Sequence, residues 1–256
     1  CFPPARAVPE ALGAHVHAFE LSFDDGYRLP LERFADALRP DTRLVSLASP
    51  QNPSGVRFSP SELREVLALV ASRAPEAVVL VDETYRASTY DGVVPPSVAG
   101  LSPQVVTVSS LSKAHGAPGL RIGWLTCTDA TLYARVREAK FLSTVACSTV
   151  DEHLAVAVLR QQESILDARA ALLREALDLL EGWVKEQPAE LVVPDGGALC
   201  CLRIASVAGF HERLAARDTR VAPGSWFGDD DRVFRVGFGH LPIEDFEEAL
   251  GRVAEA

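Results

Sequence analysis

Ser110-Leu111-Ser112-Lys113-Ala114-His115-Gly116-Ala117-Pro118-Gly119-Leu120-Arg121-Ile122-Gly123 is the stretch that decides how this chain reads. It follows one β-run, Val105–Ser109, and leads into another, Leu120–Cys127. The turn between them is rich in Ser, Gly and Pro, which permit tight backbone paths and the close approach of a bulky group. A lysine sits in the middle of it. Placed behind an apolar strand, that lysine is expected to be buried, and desolvation lowers an amine's pKa and frees its lone pair for Schiff-base chemistry. Arg121, further along the same turn, offers a planar fork suited to a phosphate.

Outward from this turn, strands and helices alternate. His15–Leu21 reads as a strand and Leu31–Leu38 as a short helix. Arg43–Leu47 is a strand that runs into a Pro/Asn/Gly turn over Ser49–Gly55. Ser59 with Glu62 three residues on has the spacing of a capping box and opens a helix to about Arg73. Ala77–Val81 is a continuous apolar run that ends in Asp82-Glu83. Unbroken apolar strands between helices predict an α/β fold with a mostly parallel sheet covered on both faces. From Asp151 to Glu186 the pattern is helical, with apolar positions at Leu154, Val158, Ile165, Leu172, Leu173, Leu177 and Leu180, as one long helix or two consecutive ones. Beyond Pro188 come short strands (Leu191–Val193, Ala198–Ile204), a helix (Val207–Arg217), a strand pair (Arg220–Ala222, Val233–Val236) and a last helix (Ile243–Val253), an α+β pattern. The expected organisation is a large domain over 1–150, a connecting helical region over 151–187 and a small domain over 188–256.

Composition narrows the function classes. The chain has 256 residues, and its 35 acidic against 25 basic side chains give a net charge of −10, the opposite of a nucleic-acid footprint. No apolar run approaches a membrane span, and the hydrophobic content of 48% is that of a globular protein with a real core. The five cysteines, at 1, 127, 147, 200 and 201, form no Cys-x-x-Cys pair. This points to reduced thiols and a cytoplasmic location. The histidines show no metal-ligand spacing, so no metal site is expected.

The stretch around Lys113 resembles the lysine signature of class I/II aminotransferases that depend on pyridoxal 5′-phosphate (PLP), the fold-type I group that includes aspartate aminotransferase. Two further segments occur in the order that family has them. Asp82-Glu83-Thr84-Tyr85 follows an apolar strand at the edge where parallel sheets bind ligands, and Asn52-Pro53-Ser54-Gly55 resembles the family's Asn-Pro turn. Taken singly, the first reads as a capping aspartate and the second as a plain turn; their order with Lys113 makes them specific.

The resemblance implies a PLP cofactor held as a Schiff base by Lys113, which also serves as the proton shuttle. Asp82 would keep the pyridine nitrogen protonated, so that the ring accepts electrons. Asn52 and Tyr85 would donate to the phenolic oxygen, Ser110 and Arg121 would hold the phosphate, and Phe2 would stack on the ring. Arg235, in Phe234-Arg235-Val236-Gly237-Phe238, would grip the substrate carboxylate with its fork, beside Asn52. His115 is expected to be structural. Implied partners are an amino acid, a 2-oxo acid and a second copy in a homodimer. The resemblance also implies an upstream segment, with a glycine-rich phosphate loop, that does not stand in this sequence. Three other readings remain open: a lyase or cyclase of natural-product biosynthesis, since the lysine stretch and Ala222-Pro223-Gly224 with Phe227-Gly228 also resemble capreomycidine synthase-type enzymes; an aminotransferase-like sensor domain of a transcription regulator; and a degenerate, non-catalytic fragment. The absence of a second strong cation near Ala198–Cys201 leans toward neutral or hydrophobic amino acids as substrates.

Overall fold

A computed structural model describes residues 3–256. The first sheet is built from β1 (Leu44–Ala48), β2 (Val78–Asp82), β3 (Val105–Ser110) and β4 (Gly123–Cys127), neighbours in that order. The pairs β1–β2 and β2–β3 are parallel, whereas β4 runs antiparallel to β3, so the sheet is mixed. The reversal follows from the connection: β3 and β4 are joined by the lysine turn alone, with no crossover helix to bring the chain back to its starting edge.

Helix α1 spans Pro4–Ala11, α2 Leu31–Ala37 and α3 Pro60–Arg73. The capping box forms as the sequence predicts: the Ser59 hydroxyl accepts from the Glu62 N–H (3.1 Å), and the Glu62 carboxylate accepts from the Ser59 N–H (2.7 Å). Leu63, Val66, Leu67 and Val70 recur at helical spacing on α3 and pack against Val45, Val79, Val81 and Val105 of the sheet. Replacing Ser59 with alanine is expected to cost about 1 kcal/mol of stability, read as a lower urea midpoint; an unchanged midpoint would remove the box from this account.

His15–Leu21 is not a strand. Every strand of the first sheet has its neighbours from residues 44–127, and none lies beside 15–21. The segment instead buries part of its apolar surface by packing Phe19 edge-on to Phe34 at 6.1 Å, with Arg33 over the Phe19 ring.

The region after β4 holds three helices: α4 (Ala130–Thr144), α5 (Thr149–Arg160) and α6 (Gln162–Lys185). The expected long helix is therefore two, broken at Gln161, and α4 has no counterpart in the sequence reading. No residue of α4 is buried, and Tyr133, Phe141 and Leu142 on it are exposed, as are Trp124 on β4 and Val150, Leu154, Val156 and Leu159 on α5. The sheet is mostly parallel and flanked by helices, as expected, and on its β4 side α4 contributes no buried residue.

The second sheet has the order β5 (Ala189–Val192), β6 (Leu199–Ile204), β8 (Val233–Gly237), β7 (Ala222–Pro223), antiparallel throughout. Helix α7 (Phe210–Ala215) is shorter than the expected Val207–Arg217, beginning after Gly209 in a left-handed conformation; α8 spans Ile243–Ala254. Leu173, Leu177 and Leu180 of α6 and Phe246 and Leu250 of α8 cover one face, meeting Cys200, Leu202, Phe234 and Val236. The other face carries Cys201 and Val233, which meet Phe23, Tyr27 and Val56. Successive strand residues point to opposite faces, so the adjacent Cys200 and Cys201 enter two different cores. Both thiols are free, and burial pushes their pKa values up, that of Cys201 to about 12. No helix among the described residues is long and apolar enough to cross a membrane.

Candidate active site

Three parallel strands end side by side, and the loop after each carries one of the sequence motifs. Asn52 follows β1, Asp82 closes β2 with Tyr85 in the turn beyond it, and Ser110 closes β3 with Lys113 just past it. Carboxyl ends of adjacent parallel strands form the crevice where α/β sheets take ligands. The parallel ladder continues into these loops: the Ser49 N–H donates to the Asp82 carbonyl (2.9 Å) and the Glu83 N–H to the Val108 carbonyl (2.8 Å).

The two adjacent acids after β2 have different fates. Glu83 is buried, with the Arg86 Nε 3.0 Å from its Oε2 and its Oε1 accepting from the Val98 N–H. Asp82 is half-buried, and its Oδ1 accepts from the Thr84 N–H (2.9 Å). Asp82 is thus the carboxylate at the crevice, and Glu83 braces the loop behind it.

Arg235 reaches this crevice from the second sheet. It lies opposite Cys201 in the ladder, and residues directly opposite one another project to the same face. That face meets Tyr27 and Val56, which aims the guanidinium at the Asn52 loop, where Nη1 donates to the Asn52 Oδ1 (2.8 Å). With Oδ1 occupied as acceptor, the Asn52 amide has its donor Nδ2 left for a ligand. Tyr85 lies close enough to Arg235 and Asp82 to feel both charges. Its pKa is raised, chiefly by burial and also by Asp82, against the opposing pull of Arg235, and its hydroxyl keeps its proton. The Lys113 Nζ sits over the Tyr85 ring, 5.7 Å from its centroid. Asn52, Tyr85, Asp82, Lys113 and Arg235, distant in sequence, thereby converge.

Other expectations are met less fully. Lys113 is exposed, not buried, although Leu111 and Ala114 of the same turn are buried; its amine lies over the Tyr85 ring. The Ser110 hydroxyl accepts from the Ser112 N–H (3.3 Å) and shapes the turn. Arg121 is exposed, has a left-handed backbone (φ 54°) and donates to the Pro118 carbonyl within its own loop (2.8 Å), so its fork is turned to the loop and not to the other site residues. Gly123 pairs with Ser110, and a Cβ there would stand 2.8 Å from the Ser109 carbonyl, so the return strand can start only with glycine. His115 packs edge-on to Trp124 at 6.5 Å, and burial lowers its pKa, which suits a neutral structural side chain. Phe2 lies outside the described residues. No group of acidic, His and Cys side chains among the described residues is arranged to hold a metal ion.

Sequence reasoning missed the strap that holds these loops together. The Asp195 and Gly196 N–H groups both donate to the Gly55 carbonyl (3.0 and 3.1 Å), and the Gly197 N–H donates to the Ser88 carbonyl (2.8 Å). The Asp195 carboxylate accepts from the Arg57 N–H (2.9 Å). One segment leading into β6 therefore ties the Asn52 loop to the Tyr85 loop. The Gly196-Gly197 pair was its available signal. Phe227, in the sequence one half of a Phe-Gly pair, has the Arg235 guanidinium over its ring, 5.0 Å from the centroid.

Comparison with known proteins shows what the chain resembles in sequence and fold. The chain is 31% identical over 254 residues to capreomycidine synthase of Streptomyces vinaceus, covering 96% of this chain and 63% of that protein. It is 30% identical over 258 residues to arginine–pyruvate transaminase of Pseudomonas aeruginosa, covering 97% and 65%. A PLP-dependent aminotransferase from Streptococcus suis superposes with a TM-score of 0.90 at 25% identity, over 99% of this chain and 67% of that one. The chain thus spans a little under two thirds of the length of these curated relatives. The family description "Aminotransferase class I and II" matches residues 2–253, nearly the whole sequence and every described motif, and the chain belongs to that family.

Proposed function

We propose that this chain carries the site of a PLP-dependent aminotransferase, which moves an amino group between an amino acid and a 2-oxo acid. The observation that carries the reading is the convergence of Asn52, Asp82, Tyr85 and Lys113 at three adjacent strand ends, with Arg235 hydrogen-bonded to Asn52 from the other sheet. The donor set fits the cofactor. Asp82 offers a carboxylate for the pyridine nitrogen. The Asn52 Nδ2 and the protonated Tyr85 hydroxyl offer two donors for the phenolic oxygen. Lys113 offers the amine for a Schiff base, and Ser110 and Arg121 lie on its loop as candidates for the phosphate. When bound, PLP supplies an electron sink for the carbanion formed at the substrate Cα.

The chain's own residues do the rest. Arg235 holds the substrate carboxylate in its fork, and Asn52 fixes the edge of that fork which the substrate does not use. The Lys113 Nζ would take the proton from the substrate Cα and deliver it to the cofactor carbon C4′, which leaves the amino group with the cofactor and frees the 2-oxo acid after hydrolysis. Tyr85 remains a donor because burial raises its pKa. The exposed apolar residues of β4, α4 and α5 support assembly with a second copy. The four cysteines among the described residues, all free, support a reducing compartment, the cytoplasm. The two sheets support a large lobe up to about residue 150 and a small one from about 188, with helices between.

The test is the absorption spectrum of the purified chain after PLP is added, beside Lys113→Ala. A visible band in the wild type that the variant lacks is the expected result. No band in the wild type, or the same band in both, would sink the reading. The lyase or cyclase reading, supported by the similarity to capreomycidine synthase, uses the same residues; turnover that needs no 2-oxo acid acceptor would favour it.

A further inference from the structure

Arg235 can form two parallel hydrogen bonds to a carboxylate only if its planar group is held at one angle, since a fork that turns about its own stem loses the bidentate geometry. Asn52 grips one edge of the plane at 2.8 Å but leaves rotation about that bond free. The second restraint is Phe227. Its ring lies beneath the guanidinium, with the arginine Cζ 5.0 Å from the ring centroid. Both side chains are half-buried, so the contact is partly shielded from water.

The connection that carries Phe227 is itself fixed. Phe227 ends a short 3-10 turn, Gly224–Phe227, between β7 and β8, and β7 pairs with β8 so that Ala222 lies opposite Arg235. The turn is tied at both ends. The Asp229 N–H donates to the Gly224 carbonyl (3.1 Å), and a Cβ on Gly224 would stand 2.5 Å from the Asp230 carbonyl and 2.7 Å from that of Val233. The Asp229 carboxylate accepts the hydroxyl of Tyr27, a residue otherwise held by Gln51, whose side-chain amide donates to the Tyr27 carbonyl (3.0 Å). Gln51 is next to Asn52. The ring below the arginine and the amide beside it are therefore both referred to the same stretch, 51–52, and keep a common frame.

We propose that Phe227 is a positioning residue that sets the plane of Arg235 for recognition of a substrate carboxylate. This rests on the reading that Arg235 is the carboxylate seat. The contact that Phe227 makes is with Arg235, not with an atom assigned to proton transfer, so its loss is expected to act on substrate affinity and to spare cofactor binding and the proton-transfer step.

The experiment uses the full chain with PLP added and propanoate as the probe, a carboxylate with no amino group to react, its binding read by ligand-observed NMR. Phe227→Leu removes the π face and keeps the apolar bulk; Phe227→Tyr keeps both. Phe227→Leu is expected to weaken propanoate binding about fivefold, as for a half-shielded cation–π contact, with PLP affinity unchanged and Phe227→Tyr close to wild type. If the chain turns over, KM for the amino acid rises by the same factor while kcat holds. Wild-type affinity in Phe227→Leu, with binding lost in Arg235→Ala, overturns the proposal and leaves the carboxylate seat standing. Equal loss in Phe227→Leu and Phe227→Tyr, or loss of PLP affinity in either, makes Phe227 merely structural and also overturns it. Unchanged binding in Arg235→Ala, or none in the wild type, overturns the seat and the proposal together.

Discussion

Lys113→Ala is expected to lower the rate of amino-group exchange by about a thousandfold or more, because it removes both a nucleophile and a general base at one position. The geometry makes Lys113 hard to replace. It stands just past the end of β3, beside the β2 end that carries Asp82 and Tyr85, and its Nζ lies over the Tyr85 ring. No other amine among the residues brought together here occupies that place: Arg235 is engaged with Asn52, and a guanidinium stays protonated and cannot act as a base. Lys113→Arg separates charge from chemistry. It keeps the cation over Tyr85 but supplies neither a nucleophile nor a base, so it should be as inactive as the alanine variant. Steady-state assay of both variants with an amino acid and a 2-oxo acid checks this. Turnover within about tenfold of wild type in Lys113→Ala would show that another group shuttles the proton.

The largest expected effect on stability comes from Gly55→Ala. Gly55 has φ +73°, a region that disfavours a side chain, and a Cβ there would stand 2.5 Å from the Pro194 Cβ, 2.6 Å from the Leu199 carbonyl and 2.9 Å from the Gly196 carbonyl. Two of those three atoms belong to the backbone, so nothing can rotate aside. Left-handed strain together with overpacking should cost about 3 to 4 kcal/mol, or about 10 °C in Tm for a chain of this size. Gly26→Ala is the control. Its φ is also positive (+58°), but a Cβ there meets nothing within 4 Å, so only the conformational cost of about 1 to 2 kcal/mol applies. If the two variants melted alike, the approach of the 194–199 segment to Gly55 would not be what holds the strap. Because Gly55 accepts two of the strap's three N–H groups and lies three residues from Asn52, the substitution should also disturb the Asn52–Arg235 bond.

Much of the architecture was legible because it is local. The capping box at Ser59 and Glu62, the apolar run before Asp82 and the 3.6-residue rhythm of α3 and α6 depend on spacings of a few residues, and the structure has them where the spacing puts them. His15–Leu21 has the composition of a strand but no neighbour to pair with. The direction of β4 depended on how the chain returns after the lysine turn, which no composition encodes. Helix α4, without an apolar stripe turned to a core, had no periodic signal to find.

The candidate site divides the same way. Sequence alone marked Asn52, Asp82, Tyr85, Lys113 and Arg235, because each sits in a short segment whose residue types and order resemble one family's. It could not choose between Asp82 and Glu83 on physical grounds; burial did, by committing Glu83 to Arg86 and the Val98 N–H. It expected a buried Lys113 where the amine is exposed, and it gave no sign that the Arg121 guanidinium donates to the Pro118 carbonyl. It was silent on the Asp195–Gly197 strap and on Phe227 beneath Arg235. Motifs record which groups a chemistry needs, and those are legible one segment at a time. Orientation and burial depend on contacts between segments far apart in the chain, such as Tyr27 with Asp229 or Asn52 with Arg235, and only the folded arrangement brings those atoms within reach.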